Sequence, residues 1–290
     1  MKSDSLNVSF GRSRPALTLV EILVAITVVA ILGAILMAGI FPALNRAREA
    51  AIQVEMKQLE SAIEEFKTEF GFYPPSFKQF AALTNDSDRV ALMNRYLNRI
   101  SRDHTENILG WWTAVGQHIR YQEGEDLVFW LSALHKNRQF PLSGGQPTVT
   151  ANFDNGGDRH GFYDFKSQQF FVRNVGSAQI ASYMQQANTE TPFRYLDAAS
   201  YAIPSLPDGM GPFGTQQDAG GGNLVFIPFN AETFQLIAPG LDNQLTLGGP
   251  VVVNPPGLPP DTVSIGLIDD DNIANFANGR LDAFVDSFRD

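Results

Sequence analysis

The sequence predicts an α+β protein: a long N-terminal helix acting as a spine, with an antiparallel β-sheet head. Three observations predict it. Residues Ile22 to Leu44 contain no charged side chain. From Ile52 onward the apolar residues fall on one face of a helix,. Beyond Pro147, short strand-like segments alternate with glycine- and proline-bearing turns,. The composition suits a folded body, with 290 residues of which 44% are hydrophobic and 11% aromatic,. A formal net charge of −10, without a cluster of Lys and Arg, argues against nucleic acid as a partner,. The absence of cysteine rules out disulfides, thiolate metal sites and a catalytic thiol,.

The uncharged run comes first. At about 1.5 Å per residue it extends about 35 Å, enough to cross a hydrocarbon layer of about 30 Å. A cleaved secretory signal has an apolar region of only about 7–15 residues. This run is therefore expected to stay in the protein as a helix. Lys2, Arg12 and Arg14 precede it and Arg46, Arg48 and Lys57 follow it, so basic residues alone do not orient the span,. Glu21 lies at its beginning. A carboxylate at the centre of an isolated span costs roughly 2.5–3.5 kcal/mol, and less near an interface. Two readings stay open: Glu21 sits at the headgroup boundary, or a cation is made beside it. Cutting the chain after Ala16 would make one, because the α-amine of Leu17 would be largely protonated at neutral pH.

Ala16-Leu17-Thr18-Leu19-Val20-Glu21, behind a basic leader and ahead of a long apolar run, resembles the processing motif of prepilins,. These are the type IV pilins and the pseudopilins of type II secretion. The family usually has glycine where Ala16 stands and phenylalanine where Leu17 stands. The resemblance implies a pilin-like fold and a structural subunit of a secretion or pilus-like filament, not an enzyme. It implies that prepilin peptidase removes residues 1–16, cutting between Ala16 and Leu17, and that Leu17 becomes the N-methylated N-terminus. Glu21 would then pair with the N-terminal amine of a neighbouring subunit during assembly. The implied partners are the peptidase, copies of this chain, other pseudopilins and the bacterial inner membrane, with the head on the periplasmic side or outside. Loss of Lys2, Asp4, Arg12 and Arg14 with the leader would take the formal charge from −10 to −12. The rival class is a single-pass anchored extracytoplasmic enzyme or binding module that keeps its leader.

Residues 17–71 are expected to form one helix, transmembrane over 17–44 and amphipathic over 45–71. In its second half Ile52, Met56, Leu59, Ile63, Phe66 and Phe70 follow each other at heptad-like spacing, with charges such as Glu49, Glu55 and Lys57 on the other faces,. The stripe is short and ends in two bulky rings, so it is expected to pack on the protein's own sheet instead of pairing with a second helix. In pilin-like proteins the helix plays this part. Pro42, with Gly33 and Gly39, marks a place for a kink or local melting. Gly71 is a C-cap, and Pro74-Pro75 prevent the helix from resuming.

The head, residues 72–290, begins with an aromatic–Gly–x–Tyr–Pro stretch similar to the end of the first helix in major pseudopilins. Ser76 to Arg99 and Asp126 to Leu134 are expected to be helical, the second capped by Asp126 with Glu125 at its positive end. Trp111 and Trp112 are expected in the core. The best strand candidates are 170–172, 193–196, 223–229 and 233–238. Thr233 to Asp242 resembles the last-strand region of pseudopilins, where a strand leads into a Gly-x-Asp loop. Residues 75–190 would be elaboration beyond that family's usual head.

Two acidic stretches, Asp154 to Asp158 and Asp269 to Asn272, offer the oxygen ligands that calcium prefers, though neither has EF-hand spacing. The resemblance implies a calcium site in the C-terminal loop, here Asp242, Asp269 and Asp271; solvated acidic turns are the alternative. No catalytic constellation is present. His104, His118, His135 and His160 lack the HExxH spacing, and there is no GxSxG elbow or phosphate-cradling loop,.

Overall fold

The structure is a computed structural model that describes residues 18–118, 124–145, 158–175, 178–186, 189, 191–203, 211–218, 224–245, 248–253, 263–265, 271–277 and 279–287. The chain divides into two units, Met1–Ala47 and Arg48–Asp290. Helix α1 (Leu19–Phe70) runs through both and is unbroken at Pro42, so the expected local melting is not seen. In the first unit it is long and apolar enough to cross a membrane, and none of its most apolar window is buried. Large side chains from Leu19 to Leu44 stand exposed on every face. A helix that is hydrophobic all round lacks the polar face that water requires.

In the second unit the stripe does what its spacing predicts. Ile52, Met56, Leu59, Ile63 and Phe66 are buried, and Phe70 packs on them half-buried. Phe66 is the hub. Its ring lies 4.7 Å from Phe70, 5.6 Å from Phe72, 5.4 Å from Phe162 and 6.3 Å from Trp130. Gly71, at φ +77°, ends the helix and returns its N–H to Lys67 O at 2.7 Å. Only glycine takes that left-handed conformation without strain.

Four short helices follow: α2 (Lys78–Ala81), α3 (Asp86–Ile100), α4 (Ile108–Ala114) and α5 (Glu125–Val128), the last continuing as a π-helical turn over Phe129–Ala133. The single helix expected over 76–99 is two. Asn85 breaks it, its side chain accepting from Asp88 N at 2.9 Å as the N-cap of α3,. Nor does Asp126 cap a helix. Helix α5 starts one residue earlier behind Gly124, at φ +76°, and Asp126 is buried. Trp111, Trp112 and Trp130 are buried in the same core as the spine.

The strands are β1 (Phe170–Val175), β2 (Ala178–Tyr183), β3 (Arg194–Asp197), β4 (Phe213–Asp218), β5 (Leu224–Pro228), β6 (Phe234–Ala238), β7 (Gly249–Val253), β8 (Val263–Ile265), β9 (Ile273–Ala274) and β10 (Gly279–Arg280); helix α6 (Leu281–Asp286) follows. Sequence patterning locates β1, β3, β5 and β6. It misses the others, among them β7, which runs into the proline-rich stretch that begins at Pro250. Among the described residues there are three sheets instead of one: the hairpin β1-β2, the sheet β10-β9-β6-β3 and the sheet β5-β4-β7-β8. Every pairing is antiparallel except β4 with β7. The fold class is α+β. Strand β6 is buried at all five positions. Its one polar residue, Gln235, joins the two larger sheets by accepting from Phe213 N at 2.8 Å and donating to Phe213 O and Phe229 O, each at 2.7 Å. An apolar residue there would take from Phe213 N its acceptor in the interior,.

Candidate functional site

Ala16 and Leu17 lie outside the described residues; Thr18 and Glu21 lie within them. Thr18 precedes the first turn of α1. Its N–H and its hydroxyl both donate to Glu21 Oε2, at 3.0 and 3.1 Å, while Glu21 N donates back to Thr18 Oγ1 at 3.2 Å. This is a capping box, in which the hydroxyl and the carboxylate each satisfy an N–H that the helix start leaves free. The sequence carries the signal as Thr18-x-x-Glu21, overlapping the processing motif,. Glu21 therefore has a partner within its own chain.

The Asp242 and Asp271 positions are brought together. Asp271 Oδ2 accepts from Leu241 N at 2.6 Å and Asp242 N at 3.2 Å, pinning the loop after β6 to the residues ahead of β9. Gly240, at φ +73°, makes the approach possible: a Cβ there would stand 2.4 Å from Asp271 O. Asp242 Oδ1 accepts from Gln244 N at 2.8 Å. Asp271 Oδ1 is buried and has no partner among the described residues. Burial, with Asp242 as a second carboxylate, raises the pKa of Asp271 against the two N–H bonds that lower it,. Asp269 and Asp270 lie outside the described residues. Those described contain no group of three His, Asp or Glu able to hold a metal. Of the earlier acidic stretch only Asp158 is described, and it pairs with Lys136 at 3.1 Å.

Sequence reading missed two buried acidic clusters. Glu55, expected on an outer face of α1, is buried and receives the Tyr183 hydroxyl, Gln169 Nε2 at 3.4 Å and Lys166 Nζ at 3.0 Å. These bonds tie the spine to the β1-β2 hairpin. The cue was its place three residues after Ile52 and four before Leu59, at the edge of the buried stripe. The second cluster surrounds Ser76. Asp126 accepts from Phe77 N at 3.3 Å and Leu127 N at 2.9 Å; Asp197 accepts from Ser76 N at 3.2 Å and Gln79 Nε2 at 2.8 Å. Burial pushes Asp126 up to about 8 and raises Asp197 as well,. Both carboxylates hold backbone N–H groups in place. No local sequence signal marks them.

The site and fold together define an α+β body attached to an apolar, capped N-terminal helix of membrane-spanning length. Compared with protein-family models, curated proteins and solved structures, the chain matches none.

Proposed function

We propose that this chain is a pilin-like filament subunit, a pseudopilin of a type II secretion or type IV pilus-like system. In this reading prepilin peptidase cuts after Ala16 and Leu17 is methylated. The mature chain waits in the bacterial inner membrane with its body on the periplasmic side, then joins copies of itself and other pseudopilins through α1. The observation that carries the reading is the unburied apolar stretch of α1, starting directly behind the Ala16-to-Glu21 motif. Such a surface needs lipid before assembly or other helices after it. The work is mechanical, and the Glu55 cluster supports it as a strut between spine and head.

Mass spectrometry of the protein from its own host tests the processing. A chain beginning at Leu17, methylated, is expected; a chain still beginning at Met1 would overturn the reading in favour of a plain anchored enzyme or binding module. The role of Glu21 needs a second test because of the capping box. Glu21→Gln keeps an acceptor for Thr18 but loses the charge. It is expected to be cleaved normally and to fail in assembly as completely as Glu21→Ala. Normal filaments from Glu21→Gln would assign Glu21 to helix capping alone.

Calcium at Asp242, Asp269 and Asp271 is a separate part of the proposal, supported by the unpartnered Asp271 Oδ1. Adding calcium to chelator-treated protein is expected to raise its melting temperature, and Asp271→Asn to abolish the rise. An unchanged melting temperature would remove the metal from the proposal.

A further inference from the structure

Where α1 and α3 end, a pocket of about 360 Å³ opens between them and residues 135–141. Its charge runs against the rest of the chain, whose formal net charge is −10. Three cations, Arg99, Lys136 and Arg138, stand around it with His135 and His160. We propose that this pocket binds a carboxylate carried on a short apolar stem.

Arg99 is already positioned. Its guanidinium lies 4.0 Å over the Phe72 ring and donates to Gly71 O at 3.1 Å, which leaves further N–H groups for a ligand,. That bond also covers a carbonyl at the end of α1, where bare carbonyls would repel an anion. Neither Arg99 nor Arg138 has a carboxylate partner among the described residues. Lys136 has Asp158, but that side chain is 81% exposed, and a surface pair of this kind exchanges readily for a better-held acid,. Phe70, Ile100 and Pro141 supply the apolar wall for the stem.

The histidines couple the pocket to pH. His160 stacks parallel on Phe162, with its Nδ1 3.3 Å from Glu69 Oε1. Burial lowers its pKa; Glu69 and Asp158 act against that, and Lys136 with it. His135 is lowered by burial and by Arg159, with Glu106 opposing. Protonation of His160 answers Glu69, the one acid among the described residues of the pocket wall. A singly charged carboxylate meets less repulsion from Glu69 than a phosphate dianion does. Affinity should therefore rise as pH falls below the ordinary histidine range, because burial lowers both imidazoles.

The proposal is independent of the filament reading and is tested on the full chain in zwitterionic detergent micelles. The probes are butyrate and a peptide with both ends blocked and a single glutamate; the readout is the NMR shift of the His135 and His160 rings. Saturable shifts with either probe, stronger at about pH 5.5 than at pH 8, are expected. Tighter binding of the peptide assigns the carboxylate to a protein partner, and equal binding assigns it to a free acid. Arg99→Gln and Arg138→Gln are each expected to weaken binding about tenfold, the worth of one charge-assisted hydrogen bond. Arg138 is exposed, so its variant keeps the fold and serves as the control for Arg99→Gln. The proposal is overturned if no saturable shift appears at millimolar probe, if Arg138→Gln leaves affinity unchanged, or if sulfate gives the same response as butyrate.

Discussion

Phe66→Ala is expected to lower the unfolding free energy of the body by about 3–5 kcal/mol, the usual loss when a buried ring is removed from a core that cannot collapse around the gap. The ring is fully buried on the spine and touches four aromatic neighbours, drawn from α1, the segment after it, the π-helical turn and the stretch before β1. No one of these segments can close the space without moving the others. A protein domain is stable by only about 5–15 kcal/mol, so the loss is a large share of the total. Urea unfolding of the detergent-solubilised chain, followed by tryptophan fluorescence, measures it, since Trp130 is one of the contacts. Phe171→Ala on β1, where the side chain is 41% exposed, should cost no more than about 0.5 kcal/mol,. Equal losses for the two would mean that the spine is not the centre of this core.

The second large effect is on pH dependence. Asp126 is fully buried, and burial holds its pKa near 8 against an ordinary 3.8. Between those values the unfolded chain releases the proton while the folded chain keeps it. The folded state then binds more protons, so stability falls as pH rises from about 4 to about 8. The slope is at most about 1.4 kcal/mol per pH unit for one group. Asp126→Asn removes that group while keeping an acceptor for Phe77 N. The variant is expected to match the wild type near pH 4 and to be several kcal/mol more stable near pH 8, as read from urea midpoints. Asp197 is raised in the same direction, so a shallower slope remains until it too is replaced. Parallel pH profiles for variant and wild type would show that Asp126 is ionised in the fold and stabilised by its two N–H donors.

These two sites differ in how far the sequence exposes them. Phe66 is legible because it belongs to a stripe at spacings of four and three, and a helix turns such a stripe into one face. Asp126 is misread for the same reason. Ahead of an apolar run an aspartate looks like an N-cap, but Gly124 supplies the left-handed turn that starts α5 one residue earlier. Glu55 is misread because a charge beside an apolar stripe normally faces water. Here Tyr183, Gln169 and Lys166 reach it from more than a hundred residues away. The Asp271 loop falls between these cases. The family resemblance pairs Asp242 with the later acidic run, and the structure joins Asp242 to Asp271, by backbone N–H donation.

What the chain declares by itself is local: a charge-free run of membrane-spanning length, a Thr18-x-x-Glu21 helix start, a stripe along the spine and a glycine that ends it. Each follows from neighbours within a few residues, where helix geometry and side-chain chemistry suffice. The tertiary structure alone decides that β4 lies parallel to β7, that Gln235 joins two sheets and that Glu55, Glu125, Asp126 and Asp197 are buried. Strand partners and buried charges depend on segments far apart in the chain, and their energies exist only once those segments meet.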